Sequence, residues 1–235
     1  MLSNNFIALT LTVLIAVAWL RINDFFAHKG WVSSAISRKI IHIGTGPIFV
    51  LCWLLFSESP SARWLAALVP LAITLQFALV GTGVIKDPSA VEAMSRTGDR
   101  REILRGPLYY GVAFVVLTLV FWRSSPIGMV GLMLLCGGDG LADIVGKKVG
   151  GIRLPWSNKK TLAGSTTMLV GGFLFAVLVL WAFVGQGYFP SPMARYILPI
   201  GVIALGTTLI ESLPFTDVDN ITIPLVSVLI GWFVF

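Results

Sequence analysis

The chain has 235 residues, of which 56% are hydrophobic and only 12% are charged, and its mean hydropathy is +0.88. A soluble domain carries about 25% charged residues, and a globule of this size cannot hide so much apolar surface. The composition therefore excludes a disordered chain, a disulfide scaffold, a coiled coil and a secreted enzyme, and it indicates a polytopic membrane protein. In such a protein the net charge of +6 reflects the membrane loops, and we expect no nucleic-acid partner.

Eight apolar segments are candidate transmembrane helices, because a helix needs about 20 mostly apolar residues to cross a bilayer. The first lacks the basic start and the cleavage site of a signal peptide, so we interpret it as a membrane span. We predict an all-α transmembrane bundle of about eight helices that forms a single domain over residues 1–235. We expect Cys52 and Cys136 to be small buried hydrophobes. The segments cover residues 4–20, 40–56, 64–85, 107–122, 126–146, 164–184, 196–213 and 221–235.

Basic residues concentrate in the connections that follow odd-numbered segments. These connections hold 14 of the 17 Lys and Arg residues, whereas the even-numbered connections hold only Arg63, Arg123 and Arg195. Positively charged loops mark the cytoplasmic side of a membrane protein. We therefore expect the odd connections to face the cytoplasm or an equivalent compartment, and both termini to lie on the opposite side.

Two carboxylates near the end of the fifth segment, Asp139 and Asp143, lie in a glycine-rich stretch. A spacing of four residues puts them on one face of a helix, where they repel each other unless a cation lies between them. Mg²⁺ takes one or two carboxylates and completes its shell with water and phosphate oxygens. We predict that Asp139 and Asp143 bind Mg²⁺. The alternative is a hydrogen-bonded pair packed against neighbouring helices.

A lysine-rich connection and the start of the sixth segment follow these carboxylates. Lysine supplies compact charge to phosphate oxygens, and the backbone N–H groups at a helix N-terminus also bind phosphate. We therefore predict a nucleotide-phosphate site here, with ordinary positive flanking of a membrane helix as the alternative. The residues of this site are Lys147, Lys148, Lys159, Lys160, Gly164 and Ser165.

The third connection is dense in charges of both signs. Arg100 and Arg101, together with Arg105, could hold a polyphosphate or a lipid head group, or could simply form a solvated face. We include Arg100 and Arg101 among the predicted phosphate-binding residues.

Further polar residues lie at the same predicted membrane face. Ionisable groups inside membrane segments are costly and usually functional, although an Asp at a helix start can also be a simple N-cap. We predict catalytic roles for Asp217 and Asp219, and supporting roles for four other residues, namely Lys39, His42, Glu211 and Asn220.

Carboxylates, lysines and a helix N-terminus together suit phosphoryl or nucleotidyl transfer, in which catalysis is mostly positioning and charge neutralisation. The chain has no Walker A pattern and no kinase Gly-rich loop, so a nucleotide would be held by an unrelated arrangement. A lipid substrate could enter sideways from the bilayer, with its polar end at the charged rim.

Three runs, at residues 37–46, 138–148 and 159–165, resemble the polyprenol kinase family. Its members include phytol kinase, farnesol kinase and, more distantly, dolichol kinase. Residues 95–110 and 211–224 are most similar to the phytol kinase branch, and the resemblance covers about residues 37–225. It implies transfer of the terminal phosphoryl group of a nucleoside triphosphate, typically CTP with UTP or ATP as alternatives, to an isoprenoid alcohol. For phytol the product would be phytyl phosphate, which returns phytol from chlorophyll to tocopherol.

On this interpretation Asp139 and Asp143 hold the metal and the lysines bind the triphosphate. Asp217 or Asp219 orients a second metal or accepts the proton of the alcohol. We expect a multi-pass protein of a bacterial, cyanobacterial or plastid-type membrane with its active face in the cytoplasm. The lack of an N-terminal extension favours a bacterial protein.

Other functions stay open at this point. A membrane cytidylyltransferase would release pyrophosphate, and a Mg²⁺-dependent prenyltransferase would use a diphosphate substrate without a nucleotide. A transporter would place charges near the bilayer midplane and would show inverted repeats, and neither feature is visible in the sequence.

Overall fold

The computed structural model describes residues 4–190, 192–214 and 218–235, and these residues form a helical bundle. Two short antiparallel strands make a hairpin in the fifth connection, β1 (Arg153–Leu154) and β2 (Ser157–Thr161). A π-helical segment, Leu134–Asp139, joins α6 to α7. The helices are α1 (Asn5–His28), α2 (Ser34–Cys52), α3 (Ala62–Thr82), α4 (Pro88–Met94), α5 (Gly106–Phe121), α6 (Pro126–Met133), α7 (Gly140–Val149), α8 (Leu162–Gly185), α9 (Ala194–Glu211) and α10 (Asp219–Val234).

Within the described residues, seven helical segments are long and apolar enough to cross a membrane. The expected all-α polytopic bundle is thereby confirmed, and the protein is a multi-pass integral membrane protein. The eighth predicted segment is α10, which has 16 residues and spans about 24 Å at 1.5 Å per residue. The candidate spans are Asn5–His28, Ile36–Leu55, Ala62–Thr82, Arg100–Phe121, Pro126–Val149, Leu162–Gly185 and Ala194–Glu211.

The helical run from Pro126 to Val149 forms the centre of the bundle. It packs against α2, α5, α8 and α10, and 78% of its apolar window is buried. In contrast, α1 is peripheral, with 11% of its window buried. Apolar side chains pointing outward from α1 are therefore available to lipid, as a membrane helix requires.

Glycines let α8 cross the π-helical segment at close range. A Cβ atom placed on Gly172 would lie 3.3 Å from the Cα atom of Gly138, and one placed on Gly138 would lie 2.7 Å from Sδ of Met168. Small residues at helix crossings bring backbones together in membrane proteins. This contact fixes the π-helical segment in the bundle, and Asp139 is the last residue of that segment. Cys136, in the same segment, is buried and unbridged, as is Cys52.

The even-numbered connections meet at one end of the bundle. Asn5 donates from Nδ2 to Oγ of Ser59 at 2.8 Å. Arg123, which follows α5, donates to the carbonyl oxygens of Trp53 at 3.3 Å, of Phe56 at 3.0 Å and of Ser57 at 2.5 Å, and to the Tyr188 hydroxyl at 2.5 Å. These contacts agree with the prediction that even-numbered and odd-numbered connections lie at opposite ends of the bundle. Which end faces the cytoplasm stays a prediction.

Replacing Arg123 by Met should destabilise this end of the bundle. Arg123 is 7% exposed, and its loss would leave buried carbonyl groups without donors. We expect a loss of roughly 2–4 kcal/mol in the free energy of unfolding. Thermal unfolding in detergent would measure it, with Arg63→Met, which removes another arginine of the even connections, as the control. Equal melting temperatures for the two variants would contradict the role of Arg123.

Candidate active site

The opposite end of the bundle carries the charged residues that the sequence singles out. The start of α2, the end of the π-helical segment, α7, β2 and the facing ends of α8, α9 and α10 surround it. The β-hairpin is attached to the end of α9, because the indole Nε1 of Trp156 donates to the carbonyl oxygen of Ser212 at 3.1 Å. Gly150 and Gly151, both with positive φ, make the turn that leads into the hairpin.

Three carboxylates converge at this end. Asp139, Glu211 and Asp219 each offer one oxygen, and these oxygens lie within 4.8 Å of one another. Glu211 is 4% exposed, and its Oε2 atom is buried without a hydrogen-bond partner among the described residues. Like charges this close disfavour one another unless cations balance them.

Lys160 is the ammonium group that enters this cluster from β2. It pairs with Glu211, and its Nζ lies 3.2 Å from Oδ2 of Asp219. Burial opposes the charged form of Lys160, but Glu211 and Asp219 outweigh it and raise the pKa of the ammonium above its ordinary value. Lys160 is therefore held in its charged form as part of the cluster.

The residues present fit a divalent cation. Three carboxylates and one ammonium leave a formal excess of two negative charges among these four groups. Carboxylate oxygens are the ligands that Mg²⁺ prefers, and the unpartnered Oε2 of Glu211 is an oxygen to which no protein donor is assigned. Asp139, Glu211 and Asp219 could therefore hold Mg²⁺.

Asp143 has a different environment from Asp139. Lys39 of α2 contacts Oδ2 of Asp143 at 2.9 Å, and Lys147 contacts its Oδ1 at 2.8 Å. The sequence pairs Asp143 with Asp139 as metal ligands, and that role of Asp143 stays a prediction; in the structure two ammonium groups contact its oxygens. Glu211, predicted only as a supporting residue, joins Asp139 in the carboxylate cluster.

His42 lies beside Asp139. Its Nε2 atom is 3.7 Å from Oδ2 of Asp139 and 3.3 Å from the carbonyl oxygen of Leu135. The Tyr110 hydroxyl donates to the His42 carbonyl oxygen at 2.9 Å, and the two rings lie 4.4 Å apart. Tyr110, which the sequence analysis missed, thus positions the first part of α2 against α5.

A large cavity, with a volume of about 1380 Å³, joins these groups to the apolar interior between α1, α2, α3 and α5. It exceeds the roughly 300–1,000 Å³ that is typical of small-molecule sites. Charged residues line one end, and apolar side chains such as Ile48, Phe49 and Phe114 line the other. A ligand that fills it would therefore need a charged end and a long apolar end.

Curated plant proteins are similar to this chain over most of its length. A probable chloroplastic phytol kinase of Triticum aestivum is 40% identical over 222 residues, covering 94% of this chain and 74% of that protein. The chloroplastic farnesol kinase of Arabidopsis thaliana is 39% identical, covering 97% of this chain and 75% of that protein. Phytol kinase 1 of Arabidopsis thaliana is 37% identical, covering 87% and 68% respectively.

The chain belongs to the phytol and farnesol kinase family. The resemblance of residues 37–225 to polyprenol kinases is thereby confirmed. No protein-family profile and no solved structure matches the chain.

Most of the phosphate-binding residues predicted for this family member line the cavity. Thr161 caps α8, since its Oγ1 accepts from the backbone N–H of Gly164 at 3.1 Å. The Ser165 hydroxyl is buried without a hydrogen-bond partner among the described side chains. The cavity-lining residues from the prediction are Lys39, His42, Asp139, Asp143, Lys147, Lys148, Lys159, Lys160, Gly164, Ser165, Glu211, Asp219 and Asn220.

Two predicted arginines lie away from the cavity. Arg100 donates from Nη1 to the carbonyl oxygen of Gly81 at 2.9 Å and packs against Gly83, and Arg101 is exposed. The cavity is lined instead by Arg105, which the sequence also singles out, and by Arg38 and Arg96, which it does not. The sequence signal for Arg38 and Arg96 is that they lie in basic connections, within the stretches 37–46 and 95–110 that resemble the polyprenol kinase family.

Two further predicted residues, Asp217 and Asn220, belong to the last connection. Asp217 lies outside the described residues. Asn220 donates from Nδ2 to the carbonyl oxygen of Gly106 at 2.9 Å, so it joins the start of α10 to the start of α5.

Glu211→Gln should weaken binding of a divalent cation, because it removes a buried ligand charge. Wild-type protein should gain thermal stability with increasing Mg²⁺, since a ligand that binds only the folded state stabilises it. Mn²⁺ binding followed by electron paramagnetic resonance would measure the affinity, with the exposed Glu92→Gln as the control. Equal Mn²⁺ affinity in the two variants would rule Glu211 out as a ligand.

Lys160→Met should lower the melting temperature by several degrees at neutral pH. The folded-state pKa of Lys160 is raised above its ordinary value of 10.5, so its stabilising contribution is complete below that pH. The contribution is lost as pH rises through the folded-state pKa. The difference between wild type and variant should therefore be constant from neutral pH to about pH 10 and narrow above it.

Differential scanning fluorimetry over a pH series would test this, with the exposed Lys159→Met as the control. A difference that grows at alkaline pH would contradict the assigned pairing.

Proposed function

We propose that the protein is a Mg²⁺-dependent kinase that transfers the terminal phosphoryl group of a nucleoside triphosphate to an isoprenoid alcohol. Phytol is the proposed acceptor and CTP the proposed donor, with UTP and ATP as alternatives. The observation that carries the proposal is the large cavity, which is charged at one end and apolar at the other. Membership of the phytol and farnesol kinase family supports the same reaction.

Asp139, Glu211 and Asp219 would hold the metal. Mg²⁺ in that position supplies charge neutralisation for the phosphoryl group that is transferred. Lys160 keeps Glu211 and Asp219 close together despite their repulsion. His42 lies next to Asp139 at the same end of the cavity.

The triphosphate would lie across β2 and the start of α8. Lys159 and Lys148 are exposed at the cavity and can move toward phosphate oxygens. The helix N-terminus at Gly164 and the Ser165 hydroxyl add neutral donors, which stabilise phosphate at a helix start. Arg96 and Arg105 take the phosphate-binding role that the sequence analysis gave to Arg100 and Arg101.

In the transfer step, the alcohol oxygen forms a bond to the terminal phosphorus. The bond from that phosphorus to the bridging oxygen breaks, which releases a nucleoside diphosphate. The hydroxyl proton passes to a carboxylate of the site. Asp143 is poorly suited to accept it, because Lys39 and Lys147 stabilise its negative charge. Asp217 or Asp219 is the proposed proton acceptor.

We place this site on the cytoplasmic face, or its equivalent, of a cyanobacterial or plastid-type membrane. The excess of Lys and Arg in the odd connections supports that orientation. The chloroplastic names of the plant relatives support a plastid-type membrane. Residues 1–235 would act as one kinase domain, and phytyl phosphate would serve tocopherol synthesis.

A phosphoryl-transfer assay tests the proposal. Purified protein in detergent would be incubated with Mg²⁺, phytol and CTP labelled in the terminal phosphate, and label would be measured in the organic phase. Asp139→Asn should lower the rate at least about 100-fold, because a charged ligand at the reacting phosphate is lost. Asp99→Asn, which lies outside the cavity, should leave the rate unchanged.

Full activity of a folded Asp139→Asn variant would overturn the assigned role. The products distinguish the kinase reaction from the two alternative reactions. Release of pyrophosphate with nucleotide attached to lipid would indicate a cytidylyltransferase. Turnover of a prenyl diphosphate without nucleotide would indicate a prenyltransferase.

A further inference from the structure

Four helices line the apolar end of the cavity, each with one face. On α2 the lining residues are Thr45, Ile48, Phe49 and Cys52, and on α3 they include Val69, Pro70 and Ile73. Steps of three and four residues place side chains on the same side of a helix. The apolar end therefore lies between helices rather than at a loop, and we call it the channel.

The channel reaches far into the bundle. From Lys39 at the charged end to Cys52 there are thirteen residues of helix, which correspond to about 20 Å. The same number of residues separates Val69 from the end of α3 at Thr82. The channel thus penetrates most of a hydrocarbon core that is about 30 Å thick.

The lining of the channel ends at Thr12 of α1, Cys52 of α2 and Val69 of α3. Val69 and Phe49 are buried there, and Thr12 of α1 contacts Cys52 of α2 across the helix interface. Beyond them lies the end of the bundle that Arg123 holds together. A hydrocarbon chain that enters from the charged end therefore meets these side chains, which we call the floor of the channel.

Ala16 lies about one helical turn nearer to the charged end than this floor. Thr12 is level with Cys52, whereas Trp19 lies against Gly44. Ala16 falls between them on the cavity face of α1. Its small side chain leaves the channel open at that level, about 5.4 Å above the floor.

We infer that this channel holds the hydrocarbon tail of the alcohol, and that Ala16 and Val69 set the longest chain the enzyme accepts. The inference rests on the proposed kinase function. The tail lies between α1, α2, α3 and α5, and the hydroxyl reaches the charged end near His42 and Asp139. Chain length is then selected by the distance from the carboxylates to the floor.

The test compares geraniol, farnesol and phytol, which increase in length in that order. Ala16→Phe should lower kcat/KM for phytol at least about tenfold relative to geraniol, because added bulk blocks a filled apolar pocket. Val69→Phe, at the floor, should also lower kcat/KM for phytol. It should lower kcat/KM for farnesol less than Ala16→Phe does. The matched controls are Ala18→Phe on the exposed face of α1 and Val116→Phe on the exposed face of α5, and neither should change the ratios.

If folded Ala16→Phe and Val69→Phe proteins treat the three alcohols in the wild-type ratio, the inference is overturned. A wild-type protein that phosphorylates none of the alcohols would instead refute the proposed kinase function. In that case, equilibrium binding of radiolabelled phytol tests the proposed tail site independently of catalysis. Binding lost in Ala16→Phe and kept in Ala18→Phe supports the channel, and equal binding in both refutes it.

Discussion

The convergence of Asp139, Glu211 and Asp219 around Lys160 is the constraint on which the rest of the site depends. Carboxylates at the end of membrane helices cost free energy unless they find counter-charges. Lys160 neutralises part of the cluster, and Trp156 of the same β-hairpin attaches the hairpin to the end of α9. A short two-stranded hairpin thus completes a site whose other members all lie on helices.

The central helix explains how Asp139 reaches this position. Glycines along Leu134–Asp139 permit close contact with α8, and the helix widens there into a π-helical segment. Such segments change the direction in which side chains leave a helix and often occur at functional sites. Asp139 therefore faces α9 and α10, while Asp143, one turn later, faces Lys39 of α2. Two carboxylates four residues apart acquire different partners.

On the proposed function, the cavity would give the two substrates separate approaches. The charged end is bounded by the basic connections and by the start of α8, where water-soluble phosphates would arrive. The apolar end lies between membrane helices, where a lipid chain is stable without water. Because both ends belong to one cavity, a lipid hydroxyl and a phosphoryl group can meet without either substrate leaving its own medium. At the far end of the bundle, the hydrogen bonds of Arg123 join the end of α5 to the connection that follows α2.

Hydropathy and the distribution of Lys and Arg, which are local properties of the sequence, predict the helical class, the segments and the end of the bundle that carries the site. Three motifs in order resemble the polyprenol kinase family, and the plant relatives confirm that resemblance. Which residues of the site contact one another, in contrast, is not a local property of the sequence. Asp143 is near Asp139 along the chain but forms an ion pair with Lys39. Arg100 lies in a basic connection but donates a hydrogen bond to the carbonyl oxygen of Gly81. The convergence of Glu211 with Asp139, and the depth of the apolar channel, were decided only by tertiary structure, because both depend on how separate helices cross and where their ends meet.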